Sequence, residues 1–292
     1  MRDLSGKRVV ITGAAGGIGK AIALEFCRAG SRLILLDVNQ PALEAAVADC
    51  RATGADAVGV HCDLADADAI ALAADRCLAA FGGVDVLVNN AGIAFYGPTH
   101  EMRLDQWEKL MAVNLLAPIR LIHALLPSLR EQPEAHILNI ASITGLVPKR
   151  RIAAYQASKF GLVGLSQSLR AEYSPYGIGV TAVCCGFART ELIATAHRDG
   201  MAAKPRAMRS WWSVSPEYVA RRAVAGVRAN RGLVVVPFLA RLFWWVQRLS
   251  PAILDLHGHW VHWRSNRRRR AKARRLRSNT PSMPQPVPAG AK

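Results

Sequence analysis

The sequence predicts an α/β fold built on a doubly wound parallel sheet of about seven strands, with helices on both faces and a helical extension at the C-terminus. Three observations carry this reading. Short β-branched apolar runs alternate with longer runs of helical period from residue 8 to residue 236. The short runs are apolar throughout rather than every second residue, as strands covered on both faces require. Asp37, Asp63, Asn90, Ser142 and Gly186 each fall where such a run ends, and open parallel sheets bind ligands beyond the carboxyl ends of their strands.

Taken in order, Arg8 to Thr12 is the first strand, and Thr12-Gly-Ala-Ala-Gly-Gly-Ile-Gly19 follows at once. Lys20 to Ala29 is helical and ends at Gly30; Arg32 to Leu36 is a strand closed by Asp37. In such a β-α-β unit the glycines let the backbone turn tightly and approach a pyrophosphate, which rests on the free N–H groups of the helix start. An acid about 20 residues on can take both ribose hydroxyls of an adenosine. Pro41 to Thr53 is helical, Ala57 to His61 a strand, Ala67 to Phe81 a helix, and Val84 to Asn89 a strand leading into Asn90-Ala91-Gly92. Asp105 to Leu129 is a long helix, bent near Pro118. His136 to Ala141 is a strand, Ile152 to Tyr173 a helix and Ile178 to Cys184 a strand. Pro216 to Ala229 is a helix with Ser215 as its N-cap, and Leu233 to Val236 is the last strand.

The chemistry centres on Tyr155-Gln-Ala-Ser-Lys159. Four residues apart on a helix, the phenol and the ammonium share one face. A phenol is a poor base at neutral pH, and a nearby cation lowers its pKa. The pair therefore suits proton exchange with an alcohol/ketone couple.

These motifs together resemble the short-chain dehydrogenase/reductase family over roughly residues 5 to 237: the Gly-rich turn Thr12–Gly19, Asp63, Asn89–Gly92, Asn114 within Val-Asn-Leu, Ser142, and Tyr155 with Lys159. The resemblance implies a Rossmann-like domain of seven parallel strands, a nicotinamide cofactor and hydride transfer at a carbonyl carbon. It implies Tyr155 as acid/base, Lys159 on the nicotinamide ribose and lowering the phenol pKa, Ser142 on the substrate oxygen, and Asn114 holding a relay water. It further implies a cofactor site formed by Thr12, Gly13, Gly17, Ile18, Gly19, Asp37, Asp63, Leu64, Asn90, Ala91, Gly92, Tyr155, Lys159, Gly186, Phe187 and Thr190, with Asn89 bracing the sheet. The substrate would meet Ser142 and Tyr155. A homodimer or homotetramer, pairing the two long helices across a two-fold axis, is implied as well.

Asp37 repels a 2′-phosphate and accepts from a free 2′-OH, Val38 follows it, and Gly16 stands where the family often has a base; the reading is NAD over NADP. One departure from the family is Cys185-Gly186 where Pro-Gly is usual. Cys185 is then either a thiol beside the cofactor or a small apolar substitute.

The segment Glu191 to Val214 is expected to form a flap over the substrate, with Met201, Met208, Trp211 and Trp212 beside Lys204, Arg206 and Arg209; Phe95, Tyr96 and Leu146 to Arg151 would complete the pocket. Such residues suit a lipophilic alcohol or ketone, though the tryptophans would equally pack on the fold. Three regions follow: a dehydrogenase domain over 1–237, an amphipathic aromatic extension over 238–263, and a basic tail over 264–292, Pro/Ser-rich from Thr280.

In the extension, Phe238, Leu242, Trp245, Val246, Leu249 and Ile253 share one helical face and Arg241 and Arg248 another; Asp255 and the arginines exclude a membrane span. This pattern fits an interfacial helix on an anionic membrane surface, or a helix covering the domain or a partner subunit. Net charge is +17, and nine Arg or Lys between Arg264 and Arg277 supply over half of it. That run would attract acidic lipid or nucleic acid, but no base-reading element accompanies it. His257, His259 and His262 lack the fixed geometry of a metal site, and no metal is expected. The six cysteines show no C-x-x-C spacing and no secretory leader is read, so a cytoplasmic chain with peripheral membrane attachment is expected. The competing reading is a catalytically idle, NAD-binding membrane adaptor.

Overall fold

The computed structural model describes residues 1–188 and 213–250, together with Ala252, Trp263 and Arg267. The expected flap up to residue 212, Thr190, the three histidines and the basic tail apart from Arg267 lie outside the described residues. The chain divides into two compact units, Met1–Trp244 and Trp245–Lys292.

In the first unit β1 (Arg8–Thr12), β2 (Arg32–Asp37), β3 (Ala57–His61), β4 (Val86–Asn89), β5 (Ala135–Ile140), β6 (Ile178–Cys185) and β9 (Leu233–Val236) form one sheet of order β3-β2-β1-β4-β5-β6-β9. All six pairings are parallel. Two short strands, β7 (Phe187–Ala188) and β8 (Ser213–Val214), pair separately. Strand order reverses between β1 and β4, and the crevice opened there is where a doubly wound sheet takes its ligand.

The helices are α1 (Gly17–Arg28), α2 (Gln40–Ala52), α3 (Ala67–Phe81), α4 (Leu104–Met111), α5 (Ala117–Arg130), α6 (Ala153–Tyr173), α7 (Pro216–Arg228) and α8 (Phe238–Leu249). Successive strand side chains point to opposite faces, and the core splits accordingly. Val9 and Ile11 join α1, α2 and α7 on one face. Val10 joins α3 and α5 on the other. The caps follow the sequence: Asn39 accepts from Ala42 N–H, Asp66 from Asp68 and Ala69 N–H, and Ser215 from Tyr218 N–H.

Two element boundaries differ from the sequence reading in an informative way. The fourth strand starts at Val86, not Val84, because Ser128 Oγ takes the Val84 N–H at 3.0 Å. The long helix expected over Asp105–Leu129 is interrupted by a π-helical segment, Ala112–Leu116, immediately ahead of Pro118. Pro118 has no N–H to give the carbonyl of Asn114, four residues back, so the α-ladder cannot run through this point. By length and apolarity the whole stretch Leu104–Arg130 would suffice to cross a bilayer. Here it packs Leu121, Leu125 and Leu129 into the core.

Candidate active site

The dinucleotide end is built by β1, β4 and the turn between β1 and α1. Thr12, the last residue of β1, accepts at Oγ1 from the N–H groups of Asn90 (3.0 Å) and Ala91 (3.1 Å). The Asn90 amide returns the contact, donating to the carbonyls of Thr12 and Gly13 at 2.9 and 3.0 Å. The turn is thus stapled to the end of β4. A Cβ on Gly19 would lie 2.0 Å from the Gly13 carbonyl oxygen, and Gly13 has φ +62° and would press on Ala91. Only glycine fits either position. Gly16 caps α1 without a side-chain bond, and Gly17 and Ile18 carry its first N–H groups. Those N–H groups and the absence of acids in the first turn suit a diphosphate. Asp37 accepts from Ala15 N–H and Asn39 N–H, both at 3.0 Å, which fixes its carboxylate at the rim of this turn. Asp63 accepts from Ala65 N–H at 2.9 Å, and Leu64 is buried. This cradle fits a dinucleotide.

The reacting end is built by β5, the turn after it and α6. Ser142 follows β5 and caps a short 3₁₀ turn, Ile143–Gly145; its hydroxyl acts to lower the Tyr155 phenol pKa. Lys159 is 3 % exposed and donates to the Ile140 carbonyl at 2.9 Å. Its nitrogen stands 5.7 Å from the centre of the Tyr155 ring. Gly92 faces both Lys159 and Asn114: a Cβ there would lie 3.6 Å from Lys159 Nζ and 3.2 Å from Asn114 Oδ1. Ser142, Tyr155, Lys159, Asn114 and the Asn90–Gly92 turn therefore share one cleft.

Burial dominates the electrostatics of both Tyr155 and Lys159. Burial pushes the Tyr155 phenol well above its ordinary range, Cys185 adds to the shift, and the Ser142 hydrogen bond opposes it. Burial lowers the lysine itself to about 8, with Cys185 and Cys184 opposing. The lysine stays charged at neutral pH but only just, and the phenol is held as an acid.

The Asn114 side chain is fully engaged: Oδ1 accepts from Ile93 N–H at 2.8 Å, and Nδ2 donates to the Ile93 carbonyl at 2.9 Å and to Ser158 Oγ at 3.2 Å. Ser158 in turn donates to the Tyr155 carbonyl at 2.7 Å. Asn89 donates to Asn139, and Asn139 to Ser166, so a buried polar row crosses from β4 to α6. Gly186 faces Pro237, where a Cβ would sit 3.0 Å from the proline ring. Cys185 is 7 % exposed, and its thiol lies 3.6 Å from the Ala141 carbonyl. All six cysteines are free and buried.

Sequence reasoning passed over three groups. Thr144 contacts Ser142, Ser158 connects Asn114 to α6, and an apolar wall of Leu110, Met102 and Trp107 packs with Phe95, Ala154 and Tyr155. The spacing of Trp107 and Leu110 on α4 was a usable signal for the last of these. No metal-binding cluster occurs among the described residues.

A phosphate-cradling turn, an acid at the end of the second strand, and a Ser/Tyr/Lys group in the same crevice define a nucleotide-dependent oxidoreductase. A family model described as short chain dehydrogenase matches residues 7–200. The chain belongs to the short-chain dehydrogenase/reductase family. It is 38% identical over 189 residues to D-threitol dehydrogenase of Mycolicibacterium smegmatis, covering 65% of this chain and 73% of the relative. It is 30% identical over 253 residues to estradiol 17-beta-dehydrogenase 11 of Pongo abelii, covering 86% and 81%. Among solved structures, a family member from Burkholderia phymatum in complex with NAD superposes with a TM-score of 0.77 at 26% identity, covering 87% of this chain and 97% of the other. A metagenomic short-chain oxidoreductase in complex with NADP gives 0.67 at 36% identity, covering 80% and 98%.

Proposed function

We propose that the chain is an NAD-dependent oxidoreductase that interconverts a secondary alcohol and a ketone, with a lipophilic substrate of steroid, retinoid or lipid-like character. The observation that carries this reading is the meeting of the Ser142 hydroxyl, the Tyr155 phenol and the Lys159 ammonium beside the Asn90–Gly92 turn. A nicotinamide held there would take hydride from, or give it to, the substrate carbon. Tyr155 passes the proton of the substrate oxygen, and Ser142 donates to that oxygen as charge develops on it. An ammonium has three donors; Lys159 spends one on Ile140, which leaves two for ribose hydroxyls. Because the Asn114 side chain is engaged, its backbone carbonyl is the group suited to hold a relay water. Phe187 and Thr190 complete the cofactor site in this reading.

NAD rather than NADP follows from Asp37, whose carboxylate is fixed at the rim, and from Val38 beside it, an exposed residue with no cation to meet a 2′-phosphate. The lipophilic substrate follows from the wall of Phe95, Trp107 and Leu110. Exposed Leu116, Ile119 and Phe160 favour a homodimer or homotetramer through the long helices. Peripheral attachment to an anionic membrane rests on α8, where Phe238 and Leu249 are 79% and 78% exposed and Leu242 is 50% exposed, and on the basic run that follows in the sequence. The domains are then 1–237, 238–263 and 264–292. An idle adaptor has no physical need for the complete Ser142/Tyr155/Lys159 set.

The test is a panel of steroids, retinoids, long-chain alcohols and small polar ketones, read by absorbance of reduced nicotinamide. Turnover of a lipophilic member with NAD(H), abolished in Tyr155→Phe, is expected. Equal turnover by Tyr155→Phe would overturn the reading.

A further inference from the structure

The hydroxyl of Ser142 has two acceptor positions and one proton. Thr144 occupies both acceptor positions: its N–H donates to Ser142 Oγ at 3.2 Å and its Oγ1 donates at 3.0 Å. Both residues are buried, at 7% and 6% exposure, so water does not compete for these positions. The backbone bond comes from the 3₁₀ turn itself, which any residue at 144 would supply. The hydroxyl bond depends on the side chain. With both lone pairs engaged, the one remaining polar valence of Ser142 is its proton, and the hydroxyl acts on the Tyr155 phenol beside it.

We infer that Thr144 is a positioning residue: its hydroxyl fixes Ser142 as a hydrogen-bond donor toward the phenol and the substrate oxygen. The inference rests on the oxidoreductase reading above and deepens it. A ketone oxygen and a phenolate can only accept. A serine free to rotate would spend part of its time presenting a lone pair to them, which opposes the charge that develops during reaction. Locking the rotor removes that reorganisation before the substrate arrives, and the effect is larger in the transition state than in the ground state. The consequence is a change in kcat rather than in KM or cofactor affinity. The phenol is also affected, because the Ser142 bond is what lowers its pKa against burial and Cys185. Lys159 on the same helix and Cys184 on β6 are the other titratable groups in this neighbourhood.

The test compares Thr144→Val, which keeps the shape and deletes the hydroxyl, with Thr144→Ser, which keeps the hydroxyl and deletes the methyl. Both are made in the full chain and assayed with 1-phenylethanol and with the best member of the substrate panel. Binding of NAD⁺ and NADH is followed by quenching of intrinsic fluorescence, which also reports folding. The expected result for Thr144→Val is a kcat loss of about tenfold and an alkaline shift of the kcat–pH limb by about one unit, with KM and nucleotide affinity within about twofold. Thr144→Ser should retain both kcat and the limb. A Thr144→Val enzyme with the parent kcat and pH profile overturns the inference, as does a Thr144→Ser enzyme as impaired as Thr144→Val. If Tyr155→Phe is inert while Thr144→Val is unaltered, the positioning role alone fails. If Tyr155→Phe turns over normally, the catalytic reading itself fails.

Discussion

The ammonium of Lys159 lies 5.7 Å from the centre of the Tyr155 ring, one turn along α6, with its proton directed to the Ile140 carbonyl. The lysine is therefore buried as a cation with no carboxylate partner among the described residues. Its pKa falls to about 8 from the ordinary 10.5. Between those values the unfolded chain binds a proton that the native chain does not, so stability rises as pH goes from about 8 to about 10.5, and the full cost is present below 8. Lys159→Met removes that cost but leaves the Ile140 carbonyl unpaired. The expected outcome is a net stabilisation on the order of 1–2 kcal/mol at pH 7. Turnover should fall by at least about a hundredfold. Thermal melts at pH 7 and pH 10 with initial rates check both; the variant's advantage should shrink at pH 10.

Gly19→Ala would drive a methyl to 2.0 Å from the Gly13 carbonyl. That clash is with backbone, so the turn must open or α1 must shift, and the staple from Asn90 to Gly13 is lost with it. Affinity for NAD⁺ and NADH should drop at least about tenfold while circular dichroism in the helical range is retained. Titration by fluorescence quenching measures it. Unaltered affinity would mean that the turn does not carry the diphosphate.

Much of this architecture was legible because its parts are local. The strand runs, the glycines of the first turn and the polar residues at strand ends are set by neighbours within a few positions, and the sheet turns that spacing into one crevice. Tyr155 and Lys159 were found for the same reason, since four residues of helix bring them together. What the sequence could not give is the balance of long-range terms. The phenol's upward shift depends on how deeply the assembled fold buries it, and on Cys185, thirty residues away. The π-helical segment at Ala112–Leu116 was also concealed: Pro118 announced a bend, but not that it would take the form of a π-helical segment ahead of the proline. Thr144 was missed because a threonine two residues after a serine is ordinary until the 3₁₀ turn folds it back.

In the proposed reading, Asp37 discriminates between the two nicotinamide nucleotides. Its carboxylate is held by two backbone N–H bonds and cannot swing away from a 2′-phosphate. The ratio of kcat/KM for NAD⁺ over NADP⁺ should exceed about tenfold, or 1.4 kcal/mol. The double change Asp37→Ser with Val38→Arg, which removes the repulsion and supplies a cation, should invert it. Parent kinetics that favour NADP⁺ would refute the assignment.

Attachment to membranes predicts a sharp dependence on lipid charge. In the proposed attachment the apolar side of α8 and the basic run at 264–277 would act together, the first by burial and the second by about 1 kcal/mol per cation on an anionic leaflet. The full chain should sediment with vesicles containing phosphatidylserine, and weakly with phosphatidylcholine alone. Leu242→Glu with Leu249→Glu should release it, and so should 0.5 M salt, roughly a 4 Å screening length. Chain that stays in the supernatant with anionic vesicles refutes the attachment.

Acid stability is set in part by His136, far from the reacting groups in role. It is 1% exposed in β5, and its Nε2 lies 2.8 Å from Thr181 Oγ1. Thr181 already donates its proton to the Arg231 carbonyl at 2.6 Å, so Nε2 must be the donor in the pair. That leaves Nδ1 as a bare acceptor with no partner among the described residues. A second proton there would be a buried charge without an acceptor, and burial lowers the pKa to about 3 from 6.5. Above about pH 6.5 neither state is protonated and titration of the histidine contributes nothing. Between 6.5 and 3 the unfolded chain gains a proton that the native chain refuses, so stability falls as pH falls, with a slope approaching about 1.4 kcal/mol per pH unit. Below 3 the loss levels off. His136→Gln keeps a donor for Thr181 and cannot titrate. Urea unfolding from pH 7 to pH 4 should show a shallower decline for this variant than for the parent, even where its stability at pH 7 is lower. Parallel declines would mean that the imidazole takes its proton as readily inside the fold as outside.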